Sequence, residues 1–287
     1  MSGKFIASAP GKIILCGEYA VVFGHPGIAL PAFQKVEVTY ERGGADWSIT
    51  WEGVTGDAAK ADAYVRKILD ACSQQSHVAP GTLHIRNGIL LGKGMGSSTA
   101  LTIAIARCVS ACHPERSRGV REKILAVENA VNPGHSGIDF AVIWEEKPVY
   151  FKKGQPPKVI ELPTAVADAI ADAELIDTGA PSETTPMLVT WMLSRHVAGE
   201  PEIEEAIHTI GACASRMQTL VTLSPVEGRQ AFASIIRDHH QAQVKLGIVN
   251  AETQKLINKI EQEGGCAKVI GAGGRTGGSG MVIAFRN

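Results

Sequence analysis

A glycine-rich segment followed at once by hydroxyl side chains is the part of this chain best suited to bind a phosphate group. Three glycines alternate with other residues over 92–96, and the run Ser-Ser-Thr follows at 97–99 before an apolar helical pattern. Glycine lets the backbone approach a ligand without a Cβ clash. A helix beginning at Ser97 or Ser98 would direct its free N–H groups and positive dipole end into the loop. One hydroxyl could also bind Mg2+ carried by a nucleotide.

The loop matches neither of two familiar phosphate-binding signatures. Lys93 precedes the last glycines, so G-x-x-x-x-G-K-[ST] is not formed, and the glycines read G-x-G-x-G without the acidic residue of a dinucleotide fingerprint. An ordinary capped turn therefore stays open on these residues alone. An oxidoreductase that binds a dinucleotide is disfavoured, because the strand–loop–helix–strand–acid arrangement is missing.

Titratable side chains stand near turns elsewhere in the chain. Lys12 lies in an apolar strand pattern, where it either reaches solvent or holds a positive charge beside a phosphate or hydroxyl. Asp139 follows a small-residue turn, and it either caps that turn or accepts a proton or binds a metal. Glu128, at the end of a predicted helix, is interpreted as a solvated helix position. Arg275, in a second glycine-rich loop at 270–280, is interpreted as a solvated loop charge rather than a phosphate contact.

Composition excludes several classes of protein. The 287 residues carry a net charge of -1, which argues against nucleic acid or an anionic membrane as a partner. No apolar run reaches the ~18 residues that cross a bilayer, and the first residues lack the apolar core of a secretory signal. Six cysteines are scattered, with Cys108 and Cys112 on one predicted helix face, and are interpreted as buried thiols of a cytoplasmic protein.

The hydrophobic pattern predicts an α+β fold rather than a doubly wound sheet. We expect an N-terminal domain over 1–165 and a C-terminal domain over 166–287. In the first half of the chain, the predicted elements are strands at 4–9 and 12–18 around a Pro10-Gly11 turn, a hairpin of 35–41 and 47–52, a helix at 57–72, a strand at 83–87, helices at 97–111 and 119–131 with a surface connection at 113–119, and a strand-rich stretch after Asp139. In the second half, they are a buried strand at 173–179, helices over 184–263 with breaks near 199–201, 224–225 and 247, and a closing hairpin of 267–270 and 280–285.

Four ordered segments resemble the GHMP kinases, the small-molecule kinases named for galactose, homoserine, mevalonate and phosphomevalonate. They are APGKIILCGEYAVVFG, GKGMGSSTA, SGIDFAV and AKVIGAGG. Within that superfamily, GEYAVVFGHPGIALP, ENAVNPGHSGID, LIDTGAPSETTPMLV and IRDHHQAQVKLGIVN are similar to segments of the mevalonate kinases. The resemblance covers nearly the whole chain.

The resemblance implies a ribosomal-protein-S5-like N-terminal lobe, a ferredoxin-like C-terminal lobe, and ATP and substrate meeting between them. It implies Asp139 and Lys12 as catalytic residues, and Ser98 and Glu128 as Mg2+ ligands. The residues implied for ATP are Lys93, Gly94, Met95, Gly96, Ser97, Ser98 and Thr99. Those implied for the substrate are Glu18, Tyr19, His25, Gly137, Thr184, Ala272 and Gly273.

The expected reaction is ATP- and Mg2+-dependent phosphorylation of the 5-hydroxyl of (R)-mevalonate. Two alternatives stay open: another GHMP enzyme, such as a phosphomevalonate kinase, a mevalonate 3-kinase or a decarboxylase relative, and a catalytically silent nucleotide-binding protein. The expected partner is the small-molecule substrate, with a homodimer left open.

Overall fold

The computed structural model describes residues 3–53, 57–76, 78–110 and 118–286. Its contacts divide the chain into two compact units. The predicted boundary near residue 165 stays a prediction about lobes, while Cys112 and the connection over 113–117 lie outside the described residues. Unit 1 comprises Met1–Lys12, Pro31–Leu91 and Gly96–Glu146, and unit 2 comprises Ile13–Leu30, Gly92–Met95 and Lys147–Asn287.

The described residues form the mixture of strands and helices that the sequence predicts. The strands are β1 Lys4–Cys16, β2 Pro26–Arg42, β3 Ser48–Glu52, β4 Gly81–Asn87, β5 Val149–Lys152, β6 Lys158–Val159, β7 Glu174–Asp177, β8 Cys266–Ile270 and β9 Met281–Phe285. The helices are α1 Ala58–Gln75, α2 Ser97–Val109, α3 Arg118–Val131, α4 Ile138–Glu145, α5 Thr164–Ala171, α6 Thr185–Val197, α7 Pro201–Thr219, α8 Pro225–Leu246 and α9 Ala251–Gln262.

Strand order in unit 1 corrects the predicted hairpin of 35–41 and 47–52. β4 lies between the two: it pairs antiparallel with β2, Val36 opposite Asn87, and parallel with β3, Ser48 opposite Thr82. Parallel strands need a crossover, and α1 supplies it. The turn after β2 therefore leads to a strand two places away in the sheet.

β1 corrects the predicted turn at Pro10-Gly11, because it is one continuous strand that pairs with β2. Gly11 is not among the glycines with positive φ, so this dipeptide does not adopt the backbone of a glycine turn. Residues 11–16 are all buried, and that burial keeps the chain extended.

The predicted strand-rich stretch after Asp139 is wrong at its start, where the chain forms α4. Residues 140–144 are buried throughout, and a short buried apolar run has no periodicity that separates helix from strand. Gly137, with φ of +95°, begins the helix. Asp139 therefore lies in a first helical turn, where the helix dipole favours a carboxylate. A strand appears only at β5.

Unit 2 is built on a three-stranded antiparallel sheet in the order β7-β9-β8, with α8 and α9 packed on β8. The predicted helical breaks are confirmed: Ser224 caps α8 in a capping box, and Gly247 ends it with φ of +76°. β7 is an edge strand and partly exposed, so its prediction as a buried strand is wrong. Among the described residues, no helix is long and apolar enough to cross a membrane.

Candidate active site

A lysine and a carboxylate from distant parts of the sequence form an ion pair in unit 1. Lys12 Nζ lies 3.3 Å from Asp139 Oδ1. The Lys12 side chain is 4% exposed and the Asp139 side chain 29% exposed. The buried charge of Lys12 is therefore paired with a carboxylate that still faces solvent. β1 supplies the lysine and the first turn of α4 the aspartate. A carboxylate in this position can orient a hydroxyl and accept its proton.

The N-terminus of α2 lies against the same lysine. A Cβ built on Gly96 would stand 2.7 Å from Lys12 Cγ and 3.3 Å from Ile143 Cδ1, and the φ of Gly96 is +70°. Only glycine fits both the backbone and the space. The free N–H groups at Ser97 and Ser98 are thereby brought to the lysine stem, and such groups bind phosphate oxygens.

Gly96→Ala is expected to lower activity far more than its backbone strain alone explains. The new methyl group would displace Lys12 from Asp139, so we expect a loss of about 10²-fold in kcat/KM, as for a small misplacement of reacting groups. Gly199→Ala is the matched control, because Gly199 has the same φ of +70° with nothing within 4 Å of its Cβ position. Steady-state assays showing equal activity in the two variants would contradict the placement of Gly96.

Glu128 on α3 is fully buried, so its interpretation as a solvated helix position is wrong. Its Oε1 accepts a hydrogen bond of 2.7 Å from the Thr99 hydroxyl on α2. Its Oε2 is buried without a hydrogen-bond partner among the described residues. Burial raises the pKa of Glu128, and the charge of Asp139 raises it further, against the hydrogen bond from Thr99 that lowers it.

An unpartnered buried carboxylate oxygen fits a cation, and Mg2+ prefers oxygen ligands. The described residues contain no cluster of three histidine, cysteine or acidic side chains that would hold a metal alone. Mg2+ that is carried by a nucleotide needs only one or two protein ligands, so this observation agrees with the predicted pair of Glu128 and Ser98. Ser98 is exposed in the first turn of α2.

The first part of the glycine loop, residues 92–95, belongs to unit 2, where it packs on the β8–β9 loop. A Cβ on Gly94 would stand 2.8 Å from the Ile270 carbonyl oxygen and 3.0 Å from Gly271 Cα. Lys93 Nζ lies 2.7 Å from Asp177 Oδ1, and this hydrogen bond is the main cause that lowers the pKa of Asp177. Met95 is buried. The two glycine-rich segments thus form one backbone surface.

One of the predicted substrate residues, Glu18, is part of a buried ionic cluster in unit 2. Glu18 is 2% exposed, and its two carboxylate oxygens face Lys268, which is fully buried, and His239 Nε2 at 3.0 Å. Lys268 Nζ also donates to the Ile14 carbonyl at 3.1 Å. Burial would raise the pKa of Glu18, but Lys268 and His239 outweigh it and lower that pKa to about 2. Glu18 is therefore held as a carboxylate inside the unit.

The turn after Glu18 has a strained backbone, and a side-chain hydrogen bond holds it in place. Tyr19 has a φ of +62°, unusual for a residue with a side chain, and its hydroxyl donates a 2.6 Å hydrogen bond to the Ala272 carbonyl. Strain of this kind persists only where the surroundings impose it, and it concentrates at functional sites. Two of the predicted substrate residues are thus joined directly.

The other predicted substrate residues occupy separate structural positions. Gly137 begins α4, and Thr184 caps α6 by accepting from the Met187 N–H at 3.5 Å. Gly273 has a φ of +69°, and a Cβ there would stand 2.3 Å from the Ile248 carbonyl oxygen. His25 packs against Gly211 of α7, and its role as a substrate contact stays a prediction.

Two functional candidates were missed by sequence reasoning, namely Lys268 and His239. Both stand within segments that were compared with known kinases, but neither was singled out. The available signal was a lysine inside the short apolar strand pattern CAKVI, all of which is buried. A buried lysine needs a carboxylate partner, so the pattern itself calls for an acid such as Glu18.

Acid is expected to weaken unit 2 through His240, which is 1% exposed. Burial, with His239 and Lys268 nearby, lowers the pKa of His240 to about 4. Below about pH 6.5 His240 is protonated in the unfolded chain but stays neutral in the folded chain. The free energy of unfolding therefore falls by about 3 kcal/mol as pH drops from 6.5 to 4. Urea denaturation across this range should show a flatter slope in His240→Gln and the wild-type slope in His84→Gln, exposed on β4.

Comparisons with known proteins show which family the chain is similar to. The sequence profile described as GHMP kinases N terminal domain matches residues 63–145. A mevalonate kinase of Thermococcus sibiricus is 27% identical, with 94% of this chain and 87% of the relative aligned.

Two solved structures share the fold. The mevalonate kinase of Methanococcus jannaschii superposes with a TM-score of 0.77 at 18% identity, covering 99% of this chain and 91% of that one. The L. major mevalonate kinase, solved in complex with R-mevalonate, gives 0.73 at 16% identity, covering 99% and 87%. The α+β fold predicted from the hydrophobic pattern is confirmed, and so is the resemblance to the GHMP kinases.

Proposed function

We propose, from the match of residues 63–145 to the GHMP kinases N terminal domain, that this chain is a GHMP kinase that transfers the γ-phosphoryl group of ATP to the 5-hydroxyl of (R)-mevalonate. The products are ADP and 5-phosphomevalonate. The observation that carries the proposal is the pair of Lys12 and Asp139 held beside the N-terminus of α2. Such a pair supplies what phosphoryl transfer to an alcohol requires, which is an aligned hydroxyl and neutralised charge.

Each residue of unit 1 has a definable role in this reaction. Asp139 orients the hydroxyl and accepts its proton. Lys12 lies beside that carboxylate and stabilises negative charge as the proton leaves the hydroxyl. The N–H groups at Ser97 and Ser98 bind phosphate oxygens. Ser98 and Glu128 would hold Mg2+, which would supply positive charge to the nucleotide.

The function is tested by identifying the product. Purified protein is incubated with ATP and Mg2+ and, in separate samples, with mevalonate, 5-phosphomevalonate or 5-diphosphomevalonate, and the phosphorus spectrum is recorded. We expect one equivalent of ADP and of 5-phosphomevalonate from mevalonate. Phosphate on the 3-hydroxyl, release of CO2, or turnover of 5-phosphomevalonate in place of mevalonate would assign another GHMP reaction. ATP binding without any turnover would support the silent nucleotide-binding protein.

We propose a cytoplasmic site of action, and the five cysteines among the described residues, all free and buried, support it, because thiols persist in a reducing compartment. A homodimer stays an expectation, which light scattering on the assayed enzyme would measure.

A further inference from the structure

The proposed acceptor carries a carboxylate as well as its hydroxyl, and the predicted substrate residues of unit 2 offer no permanent cation to it. Partial burial, with His208 nearby, lowers the pKa of His25, so that its ring is neutral near pH 7. Two lysines of the unit are already paired: Lys268 with Glu18, and Lys93 with Asp177. A carboxylate substrate therefore calls for another cationic group in this unit.

The loop between β8 and β9 holds one arginine, and its backbone is fixed from two sides. Glu183 Oε2 accepts from the backbone N–H groups of Arg275 at 3.3 Å and of Thr276 at 3.4 Å, while its Oε1 accepts from the Thr276 hydroxyl at 2.8 Å. The Asn250 side chain donates to the carbonyl of Gly277. These contacts fix the backbone from which the exposed Arg275 side chain extends.

The side chain of Arg275 is also held in a defined orientation. Its guanidinium lies 4.1 Å from the ring centroid of Trp191 on α6, close enough for a cation–π interaction. Trp191 lines an open groove with Pro186 and Met187, so a small molecule can reach the ring. A planar guanidinium that is already oriented loses less entropy when it binds a carboxylate than a mobile side chain would.

A second arginine on the same ring shows what is different about Arg275. Arg195 lies 5.0 Å from the Trp191 centroid, but its Nε donates to Glu200 at 2.8 Å, so its charge is already paired. Within the described parts of the chain, no carboxylate forms an ion pair with the Arg275 guanidinium. Of the two arginines on this ring, only Arg275 is free to bind an anion.

We infer that Arg275 binds the carboxylate of the acceptor substrate and sets the preference of the enzyme for an acidic alcohol. The inference rests on the proposed function. The loop that carries Arg275 also carries Ala272 and Gly273, and the helix that carries Trp191 begins directly after Thr184. One guanidinium thus supplies the charge that the predicted neutral contacts lack, and it makes bidentate hydrogen bonds to a carboxylate.

The test compares an acidic substrate with a neutral one. Arg275→Gln should raise KM for mevalonate by about 10- to 100-fold, the usual effect of losing a charged hydrogen bond, with kcat and the KM for ATP within about threefold of wild type. With 3-methylpentane-1,3,5-triol, in which a hydroxymethyl group replaces the carboxylate, kcat/KM should be the same for wild type and variant. Arg275→Lys should recover part of the affinity for mevalonate.

The matched control is Arg195→Gln, which removes a guanidinium from the same ring but leaves KM for mevalonate within about twofold, because that arginine is paired with Glu200. An unchanged KM for mevalonate in Arg275→Gln overturns the inference and leaves a solvated loop charge. Equal losses for mevalonate and the triol overturn it too, since they indicate a structural role. If the wild-type enzyme does not phosphorylate mevalonate, the proposed function fails, and the inference that rests on it fails too. If the wild type is active and only the Arg275→Gln result disagrees, the inference alone fails.

Discussion

Asp139→Asn lowers kcat for mevalonate phosphorylation by about 10²- to 10⁴-fold, the range expected for loss of a catalytic base. The amide has nearly the same shape as the carboxylate but cannot take the proton of the 5-hydroxyl. The variant leaves the buried Lys12 without its carboxylate, so the free energy of unfolding is measured beside the kinetics to separate lost chemistry from lost stability. Steady-state kinetics, with ATP affinity measured separately by calorimetry, should place the loss in kcat and leave nucleotide binding within about threefold.

The control for this variant is the same substitution at another helix start in unit 1. Asp57 caps α1 by accepting from the N–H groups of Ala59 and Lys60. Asparagine caps a helix about as well as aspartate does, so Asp57→Asn should retain wild-type activity and stability. Full activity in Asp139→Asn would refute the catalytic assignment of Asp139, whatever its ion pair with Lys12.

Lys268→Met destabilises the protein by about 3–5 kcal/mol, because it leaves Glu18 as an unpaired charge in the interior. The double variant Glu18→Gln with Lys268→Met should regain most of that loss, since a buried pair replaced by neutral groups costs little. In the wild type, the lowered pKa of Glu18 stabilises the fold above about pH 4.5, and this contribution disappears as pH falls towards 2. Urea denaturation at pH 7 measures the free energies.

An exposed lysine of the same unit provides the comparison for Lys268→Met. The side chain of Lys255 is 72% exposed and pairs with Glu252, which is 82% exposed. Surface pairs contribute little, so Lys255→Met should change the free energy of unfolding by less than about 0.5 kcal/mol. A Lys268→Met protein as stable as Lys255→Met would contradict the role of Lys268 as the charge partner of the buried Glu18.

Local signals were sufficient where one side chain decides the backbone. Ser224-Pro225 and Gly247 delimit α8 because a cap and a left-handed glycine act within a few residues. The start of α2 after Gly96 was predicted for the same reason. Features that depend on distant partners were not: β3 pairs with β4, which follows it after α1, and no residue of β3 specifies that partner.

The candidate site also combines features that a local sequence signal predicts with features that depend on distant partners. The pairing of Lys12 with Asp139 came from a resemblance, since no spacing in the sequence joins these residues. Burial of Glu128 had a readable signal: it follows Ile124 by one helical turn, on the face that also carries the buried Val127 and Val131. Lys268 lacked any local sign of its partner, because Glu18 stands near the other end of the chain.

The contact between Gly94 and Gly271 joins two backbones with no side chain between them. A side chain can yield by changing its rotamer, but two main chains this close can only move as one body. Ordering of the first loop by a nucleotide would therefore restrict the second loop as well, and the entropy of both is lost in a single step. A later ligand of the second loop then binds to a segment that is already ordered, which amounts to positive coupling between two ligands that need not touch.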